Sequence, residues 1–303
     1  MGKGRGELKG REEVPGYGRK ISINAGVAGG AILVLFALAA VLAPWLAPYP
    51  PAGYSGAPLE SPSFRHWLGT DGTGQDVLSQ LIYGSRVSLL VAMSASLGGT
   101  LLGAAIGLLA GLAGRLADRF IMRGVDIFLA IPHLPLMLLL AAHFKPQLST
   151  TIAVLIIFSW PVEARLFRSQ VLTLKRREYL DAARLAGASA AYLVRRYIGP
   201  ELVPLFLAQV IMRASWAVLA ESGLAFLGLG DPTAKSWGMM LKNALDYQAI
   251  YFTPAWQWWL LPPGVCIALL ILALTMAGYA LEGMHNPALA NGSGAAKIEE
   301  GTG

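Results

Sequence analysis

Long apolar segments constrain the fold of this chain more than any other feature. A helix needs roughly 20 mostly apolar residues to cross about 30 Å of hydrocarbon. Six segments qualify, at residues 25–47, 87–113, 120–144, 151–166, 203–228 and 257–281. Only 14% of the 303 residues are charged, whereas an ordinary soluble domain carries about 25%. The sequence therefore predicts an all-α polytopic membrane protein with six transmembrane helices.

The basic residues are distributed unequally among the loops. Of the 24 Lys and Arg residues, 18 lie in the two tails, the second–third loop and the fourth–fifth loop with its flanks, and 5 lie in the other loops. Because cytoplasmic loops carry an excess of Lys and Arg, this asymmetry predicts a multi-pass protein of the cell (inner) membrane with both termini in the cytoplasm. Orientation in the membrane also accounts for the net charge of +6, so no nucleic-acid partner is expected.

The chain divides into five predicted parts. They are a cytoplasmic N-terminal tail (1–24), a first transmembrane helix (25–47), an extracytoplasmic segment with an amphipathic helix (48–86), a transmembrane core with a long loop at 175–204 (87–287) and a disordered cytoplasmic tail (288–303). In the third part, Leu78, Leu81 and Ile82 would lie on one side of a helix along the outer face. The first helix is interpreted as a retained anchor, since about 24 mostly polar residues precede it.

The cytoplasmic loop at residues 175–204 is too long for a simple turn. Residues 179–186 favour a helix that Gly187 can end, and Ser189 can cap a second short helix. Small residues share one predicted helix face: Ala182, Ala183, Ala186 and Gly187. The residues alone leave two interpretations open, a docking site for another protein and a helix on anionic lipid headgroups.

This loop resembles the "EAA" coupling loop of ABC importer membrane subunits. Asp181-Ala182-Ala183 stand for E-A-A, Gly187 is the motif glycine, and residues 198–200 form the Pro-ended close of the motif. Gly199 stands where Leu is usual. The resemblance implies a cytoplasmic coupling helix with these ATPase-coupling residues: Asp181, Ala182, Ala183, Gly187, Ala188 and Ser189.

The segment HWLGTDGTGQDVLSQLIYGSRVSLLV (66–91) resembles the C-type permease subunit of dipeptide, oligopeptide and nickel importers. The segments ESGLAFLGLG (221–230), SWGMML (236–241) and PPGVCIALLILAL (262–274) match the same subunit. Gln75 and Gln80 stand where that subunit has Arg, and its final R-D-x-L-D-P has diverged at residues 282–287. The resemblance implies a set of residues that face a binding protein: Gly69, Thr70, Asp71, Gly74, Asp76, Gly228, Gly230, Trp237 and Gly238.

The resemblance implies partners as well as a fold. It implies membrane lipid around the chain, a second homologous permease subunit, two cytoplasmic ATPase subunits and an extracytoplasmic substrate-binding protein. Peptides are the leading substrate class; nickel or another small solute is the alternative. The sequence contains no P-loop, because Gly2-Lys3 is its only Gly-Lys pair and no Ser or Thr follows. ATP and Mg are therefore expected on the ATPase subunits, with no cofactor and no catalytic residue in this chain.

Ionisable residues inside the predicted spans are costly, and each is a candidate functional residue. They include Glu163, Arg213 and Glu221. Arg213 and Glu163 lie at comparable depths, so we predict that they form an ion pair or that Arg213 faces a water-filled pathway. Glu221 is interpreted as architectural or gate-related, and Asp126 as a hydrated helix cap.

Other sequence features carry weaker interpretations. The four His residues are too dispersed for a metal site. Trp256, Trp258 and Trp259 predict an aromatic belt at the membrane surface. A secondary transporter or channel with its own ion coupling, and an intramembrane enzyme, are the alternatives from other functional classes.

Overall fold

The computed structural model describes residues 17–285, with side chains described over residues 26–282. Its regular structure is helical throughout this range. The helices are α1 (Tyr17–Val41), α2 (Ala43–Leu46), α3 (Val77–Leu112), α4 (Arg115–Ala130), α5 (His133–His143), α6 (Leu148–Leu174), α7 (Glu178–Leu185), α8 (Ala190–Leu193), α9 (Gly199–Phe226), α10 (Trp237–Asp246), α11 (Trp256–Trp259) and α12 (Leu261–His285). A π turn at Val194–Ile198 joins α8 to α9, and a 3₁₀ turn at Gln248–Tyr251 follows α10.

A strip of glycines brings α3 and α6 into close contact. The four glycines recur at every fourth residue of α3: Gly99, Gly103, Gly107 and Gly111. A Cβ atom on Gly107 would lie 2.5 Å from the carbonyl oxygen of Ala164, and one on Gly111 would lie 2.6 Å from Val171 Cγ1. Small residues at this spacing let two membrane helices approach backbone to backbone. In the same part of the chain α12 packs against both α1 and α9, and α9 also contacts α3.

The described residues contain fewer helices of membrane-spanning length and composition than the sequence predicted. Four stretches of the described chain are long and apolar enough: α3, α6, and the two stretches at residues 190–226 and 256–282 that contain α9 and α12. α4 and α5 would form a fifth as a pair bent by 83°. In α1 the apolar part with described side chains, Gly26–Val41, falls short of this length. The described residues therefore support four or five spans, and the prediction of six exceeds them.

The third predicted span, at residues 120–144, is broken at Ile131 and Pro132. Ile131 adopts an extended conformation, with φ −76° and ψ 133°. Proline disfavours the helical region for the residue before it and cannot itself donate a backbone hydrogen bond. The predicted straight span is consequently two helices that diverge sharply at this dipeptide.

The boundaries of two other predicted parts also differ. α3 begins at Val77 and runs unbroken to Leu112, so Leu78 and Leu81 belong to its first turns and form no separate amphipathic helix. At the N-terminus α1 begins at Tyr17, within the predicted tail. Most of both predicted tails lies at residues 1–16 and 286–303, outside the described residues.

Candidate functional site

The coupling segment (residues 175–204) folds as two short helices joined by a glycine turn. α7 ends as predicted beside Gly187, whose φ of +85° is a backbone conformation that favours glycine. Ser189 then caps α8, because its hydroxyl accepts a hydrogen bond from the Tyr192 amide at 3.3 Å. The turn and both caps are the local features that the sequence predicted.

The coupling segment is fixed to three long helices. Leu180 on α7 is fully buried and packs in one hydrophobic cluster with Leu174 of α6 and Leu202 of α9. Lys175 reaches in a different direction, and its Nζ donates a 2.9 Å hydrogen bond to the Gly111 carbonyl at the end of α3. A cation at a helix C-terminus also interacts favourably with the helix dipole. A displacement of α7 would consequently be transmitted to α3, α6 and α9.

The second half of α7 exposes a mainly apolar surface. Ala182, Leu185, Ala186 and Gly187 are exposed, and 90% of Leu185 is accessible to solvent. Ala183 instead packs against the buried cluster around Leu180, so the prediction that it shares the outward face is wrong. Ala182, Ala186 and Gly187 are small, so another protein could approach the backbone closely there, whereas Glu178 and Tyr179 are exposed on the same side in the first turn.

The charged residue of the motif has a partner of its own. Asp181 is exposed, and its carboxylate forms a 2.6 Å ion pair with Arg184 one turn further along α7. The hydroxyl of Tyr179 donates a 2.5 Å hydrogen bond to Glu201 at the start of α9. This bond raises the pKa of Tyr179, because it stabilises the protonated phenol beside a carboxylate. Polar contacts thus stabilise α7 along its edge.

The outer region (residues 47–80 and 228–238) is organised around two buried aspartates. Asp76 caps α3 by accepting hydrogen bonds from the Ser79 amide at 2.8 Å and its hydroxyl at 2.7 Å. The other Asp76 oxygen lies 2.9 Å from Nδ1 of the buried His66. Asp71 accepts a 2.7 Å bond from the buried Gln80 side chain. Ser79 bonds to Asp76, and His66 bonds to the same carboxylate and not to Ser79. We therefore interpret this group as a structural network that fixes the start of α3.

A lysine from the second outer loop joins this network. Lys235 Nζ donates a 2.8 Å hydrogen bond to the side-chain oxygen of Gln75, one of the two positions where the resembling subunits have Arg. Burial lowers the pKa of Lys235, and the nearby carboxylate of Asp71 opposes that shift in part. A cation from one loop and an amide from the other thus hold the two outer loops together.

The structure corrects the predicted set of residues that face a binding protein. All of them are buried except Gly228, and this buried set is Gly69, Thr70, Asp71, Gly74, Asp76, Gly230, Trp237 and Gly238. Trp237 is typical, because its indole donates a 2.9 Å hydrogen bond to the carbonyl of Leu81 inside the protein. These residues shape the outer region from within. The exposed residues beside them include Thr73, Pro232 and Thr233.

Two of the three tryptophans predicted to form an aromatic belt are also buried. Trp258 donates a 3.3 Å hydrogen bond to the carbonyl of Thr70, and Trp259 packs its ring against Tyr247. Trp256 alone of the three is exposed, at 46%. The belt prediction is therefore wrong for Trp258 and Trp259, which link α11 to the outer region.

A buried ion pair joins α6 to α9 inside the bundle. Arg213 Nε donates to Glu163 Oε1, as their shared depth predicted. The Glu163 side chain is fully buried, whereas 23% of the Arg213 side chain is accessible. Glu163 packs directly against Gly103 of α3, where a Cβ atom would collide with it. The second Glu163 oxygen has no hydrogen-bond partner in the described structure, so the carboxylate depends on Arg213.

The remaining charged candidates have separate surroundings. Glu221 is 4% exposed and lies beside the hydroxyl of Ser222, at 3.4 Å. Asp126 lies within α4 and pairs with Arg165 at 2.7 Å, so it is a partner of α6 and not a helix cap. Within residues 26–282, no three His, Cys, Asp or Glu side chains gather closely enough to hold a metal ion.

Sequence comparison identifies the family. Residues 103–291 match the family described as "binding-protein-dependent transport system inner membrane component". The matched residues include the whole coupling segment. Residues 24–62 match the N-terminal transmembrane domain of oligopeptide transport permease C. The chain belongs to the family of binding-protein-dependent transport system inner membrane components. This assignment removes the secondary transporter or channel as an alternative.

Individual members of this transport family resemble the chain over most of its length. A putative peptide permease protein of Brucella suis is 36% identical over 271 residues, which cover 89% of each chain. The di/tripeptide transport system permease protein DppC of Pseudomonas aeruginosa is 37% identical over 277 residues, covering 88% of this chain and 90% of the relative.

Solved structures support the fold of this family member. A chain of the MetNI methionine ABC transporter in an inward-facing conformation superimposes with a TM-score of 0.55 and 19% sequence identity. The match covers 69% of this chain and 97% of the solved chain. Membership in the family also implies association with ATPase and substrate-binding partners.

Proposed function

We propose that this chain is the permease subunit of an ABC importer that carries peptides through the inner membrane. The names of the relatives support peptides as the substrate class, since proteins more than a third identical are described as peptide and di/tripeptide permeases. The sequence contains no P-loop, which supports ATP hydrolysis by separate ATPase subunits. The pathway would form between this chain and a second, related permease.

The observation that carries the proposed mechanism is the exposed face of α7. A cytoplasmic ATPase subunit docks on Ala182, Leu185, Ala186 and Gly187, and a second ATPase docks on the companion permease. Closure of the ATPases displaces α7. The buried Leu180 and the Lys175–Gly111 hydrogen bond pass that displacement to α6, α9 and α3. Such a rigid lever suits alternating access, which moves packed helices and needs no chemistry in this chain.

The proposed topology follows from the distribution of charge. Both termini and the coupling segment lie in the cytoplasm, because the Lys and Arg residues divide 18 to 5 in favour of that side. This topology requires six crossings, so α1 and the bent α4–α5 pair must each complete one in addition to the four long spans. The outer region then faces the substrate-binding protein. The exposed Thr73, Pro232 and Thr233 offer the contact surface, and the buried network beneath them holds it in place.

Substitution of Leu185 tests the docking face with little risk to folding, because its side chain is 90% exposed. In Leu185→Glu we expect co-purification of the ATPase subunits and ATP-driven uptake of a labelled dipeptide to fall about tenfold or more, as for a residue at the centre of an interface. Leu227→Glu is the matched control. Leu227 is also an exposed leucine, at the far end of α9, and its substitution should leave co-purification of the ATPases unchanged.

Two outcomes would contradict the proposal in different ways. Normal ATPase co-purification and normal uptake in Leu185→Glu would overturn the docking face. Uptake of radiolabelled nickel without uptake of any di- or tripeptide would overturn peptides as the substrate and leave the docking face standing.

A further inference from the structure

α4 carries a row of unpaired arginines. Arg115, Arg119 and Arg123 recur at every fourth residue and are exposed. None of the three forms a hydrogen bond or ion pair with any residue in the described part of the chain. Together with Arg168 of α6 they line a cavity of about 310 Å³ at the junction of α4 and α6. Three arginines without a partner in the described structure thus line one open space.

The acidic residues of the cavity do not neutralise this row. Two of the three guanidinium nitrogens of Arg168, Nε and Nη2, donate hydrogen bonds to Asp118, the second at 2.6 Å. Asp126 is bound by Arg165 at 2.7 Å. Each carboxylate therefore already has its own arginine, and the charges of the α4 row are left uncompensated. Guanidinium groups bind phosphate oxygens through paired hydrogen bonds, so the cavity suits a phosphate group.

An apolar strip runs beside the arginine row. Leu116, Phe120 and Ile127 are 69%, 78% and 67% exposed. At about 100° per residue, they occupy the sector of α4 next to Arg123 and away from Asp118. An exposed apolar strip along a basic row is typical of helices that lie in the membrane interface. The two strips match the two halves of a phospholipid, which are an anionic headgroup and its acyl chains.

We propose that this surface is a binding site for an anionic phospholipid. The phosphate sits in the cavity among Arg115, Arg119 and Arg123, and the acyl chains lie along Phe120 and its apolar neighbours. The inference goes beyond transport and rests on the proposed topology, since the cytoplasmic leaflet is the anionic one. It also makes α4 a helix whose position depends on the lipid around the transporter.

The test measures lipid retention on the purified full chain. The protein is placed in nanodiscs of mixed phosphatidylglycerol and phosphatidylcholine, released into mild detergent and examined by native mass spectrometry. We expect retained lipid to be enriched in phosphatidylglycerol. The triple variant Arg115→Gln, Arg119→Gln, Arg123→Gln should lose that enrichment by about tenfold or more. The corresponding triple Arg→Lys variant should keep part of it, which separates loss of charge from loss of fold.

A matched control removes the same charge elsewhere. Arg176, Arg195 and Arg196 are exposed residues of the coupling segment, and their joint replacement by Gln should leave the enrichment unchanged. Because no ATPase is present, the result is independent of the docking face.

Several outcomes would overturn the lipid site. Equal loss of phosphatidylglycerol in both triple Gln variants would show a general effect of charge. Equal retention of the two lipids by the unaltered chain would show that the surface does not distinguish headgroups. Displacement of the lipid by millimolar inorganic phosphate would assign the cavity to a soluble anion. Protection of a Phe120→Cys thiol by a companion permease, in place of lipid, would make the strip a subunit contact.

Discussion

The coupling segment leaves its motif residues Ala182 and Gly187 at the surface, whereas the outer region buries Asp71, Asp76 and Trp237. Both regions are recognisable in the sequence. The inner motif is a face made for contact and stabilised from behind by Leu180. The outer motif is a network whose side chains bind one another and the ends of helices.

A recognisable motif therefore does not by itself mark a contact surface. In the outer region most of the buried polar groups form hydrogen bonds with one another, although Nε2 of His66 has no partner in the described structure. Buried polar groups are costly when they lack such bonds. In the coupling segment the motif consists mainly of small residues, which allow another protein to approach the backbone closely. Substitutions should consequently affect stability in the outer region and coupling in the inner one.

The largest effect on stability is expected outside both regions, at the Glu163–Arg213 pair inside the helix bundle. Arg213→Met would leave the fully buried Glu163 carboxylate without its partner, which should lower the free energy of unfolding by about 3 kcal/mol or more. Thermal unfolding in detergent measures it. The double variant Glu163→Gln, Arg213→Met should recover much of the loss, and a double variant as unstable as the single one would show that the pair is not the cause.

Asp76 and Asp181 compare the two regions directly. Asp76→Ala removes the cap of α3 and the partner of His66, so we expect a loss of about 2–4 kcal/mol. Asp181→Ala breaks an exposed ion pair, worth less than about 0.5 kcal/mol. The melting temperatures of the two purified variants show how much more Asp76→Ala destabilises the protein than Asp181→Ala does. Equal destabilisation would end the distinction between a buried outer network and an exposed inner face.

Two glycines with positive φ provide a finer comparison. Gly74 in the outer region has φ +82°, and a Cβ atom there would collide with the carbonyl of Gly56. Gly187 has φ +85°, but a Cβ atom there would meet open space. Gly187→Ala should therefore cost only the backbone strain, about 1–2 kcal/mol, and Gly74→Ala should cost more. A larger loss of stability in Gly187→Ala would contradict the packing described for both turns.

The smallest effects are dependences on pH with opposite sign. The pKa of Lys235 is lowered by burial, so the unfolded state binds more protons just below pH 10.5 and stability should rise with pH there. The pKa of Tyr179 is raised by its bond to Glu201, so stability should fall as pH rises above 10. Melting curves from pH 9 to 11 measure both slopes. Lys235→Met should abolish the rise and Tyr179→Phe the fall, and unchanged slopes would contradict these assignments.

The sequence predicted what depends on local patterns. Helix-favouring residues before Gly187, and Ser189 after it, defined the coupling segment, and helical depth alone brought Glu163 and Arg213 together. The sequence could not show that Asp71 and Asp76 turn inward, because their partners Gln80 and His66 are set by the tertiary packing of a loop. The break at Pro132 and the glycine strip of α3 did have local signals, namely an Ile-Pro dipeptide and glycines at every fourth residue.

The accessibility of a single thiol tests most directly whether α7 faces the cytoplasm and docks an ATPase subunit. Cys266 is the one cysteine of the chain, so Ala182→Cys is placed in a Cys266→Ala background and treated with a membrane-impermeant maleimide. We predict labelling in inside-out vesicles, no labelling in intact spheroplasts, and protection when the ATPase subunits are bound. A Thr73→Cys control should be labelled from the outside, at a rate that does not change when the ATPases are bound. Labelling of Ala182→Cys from the outside, or at the same rate with and without the ATPases, would contradict the account.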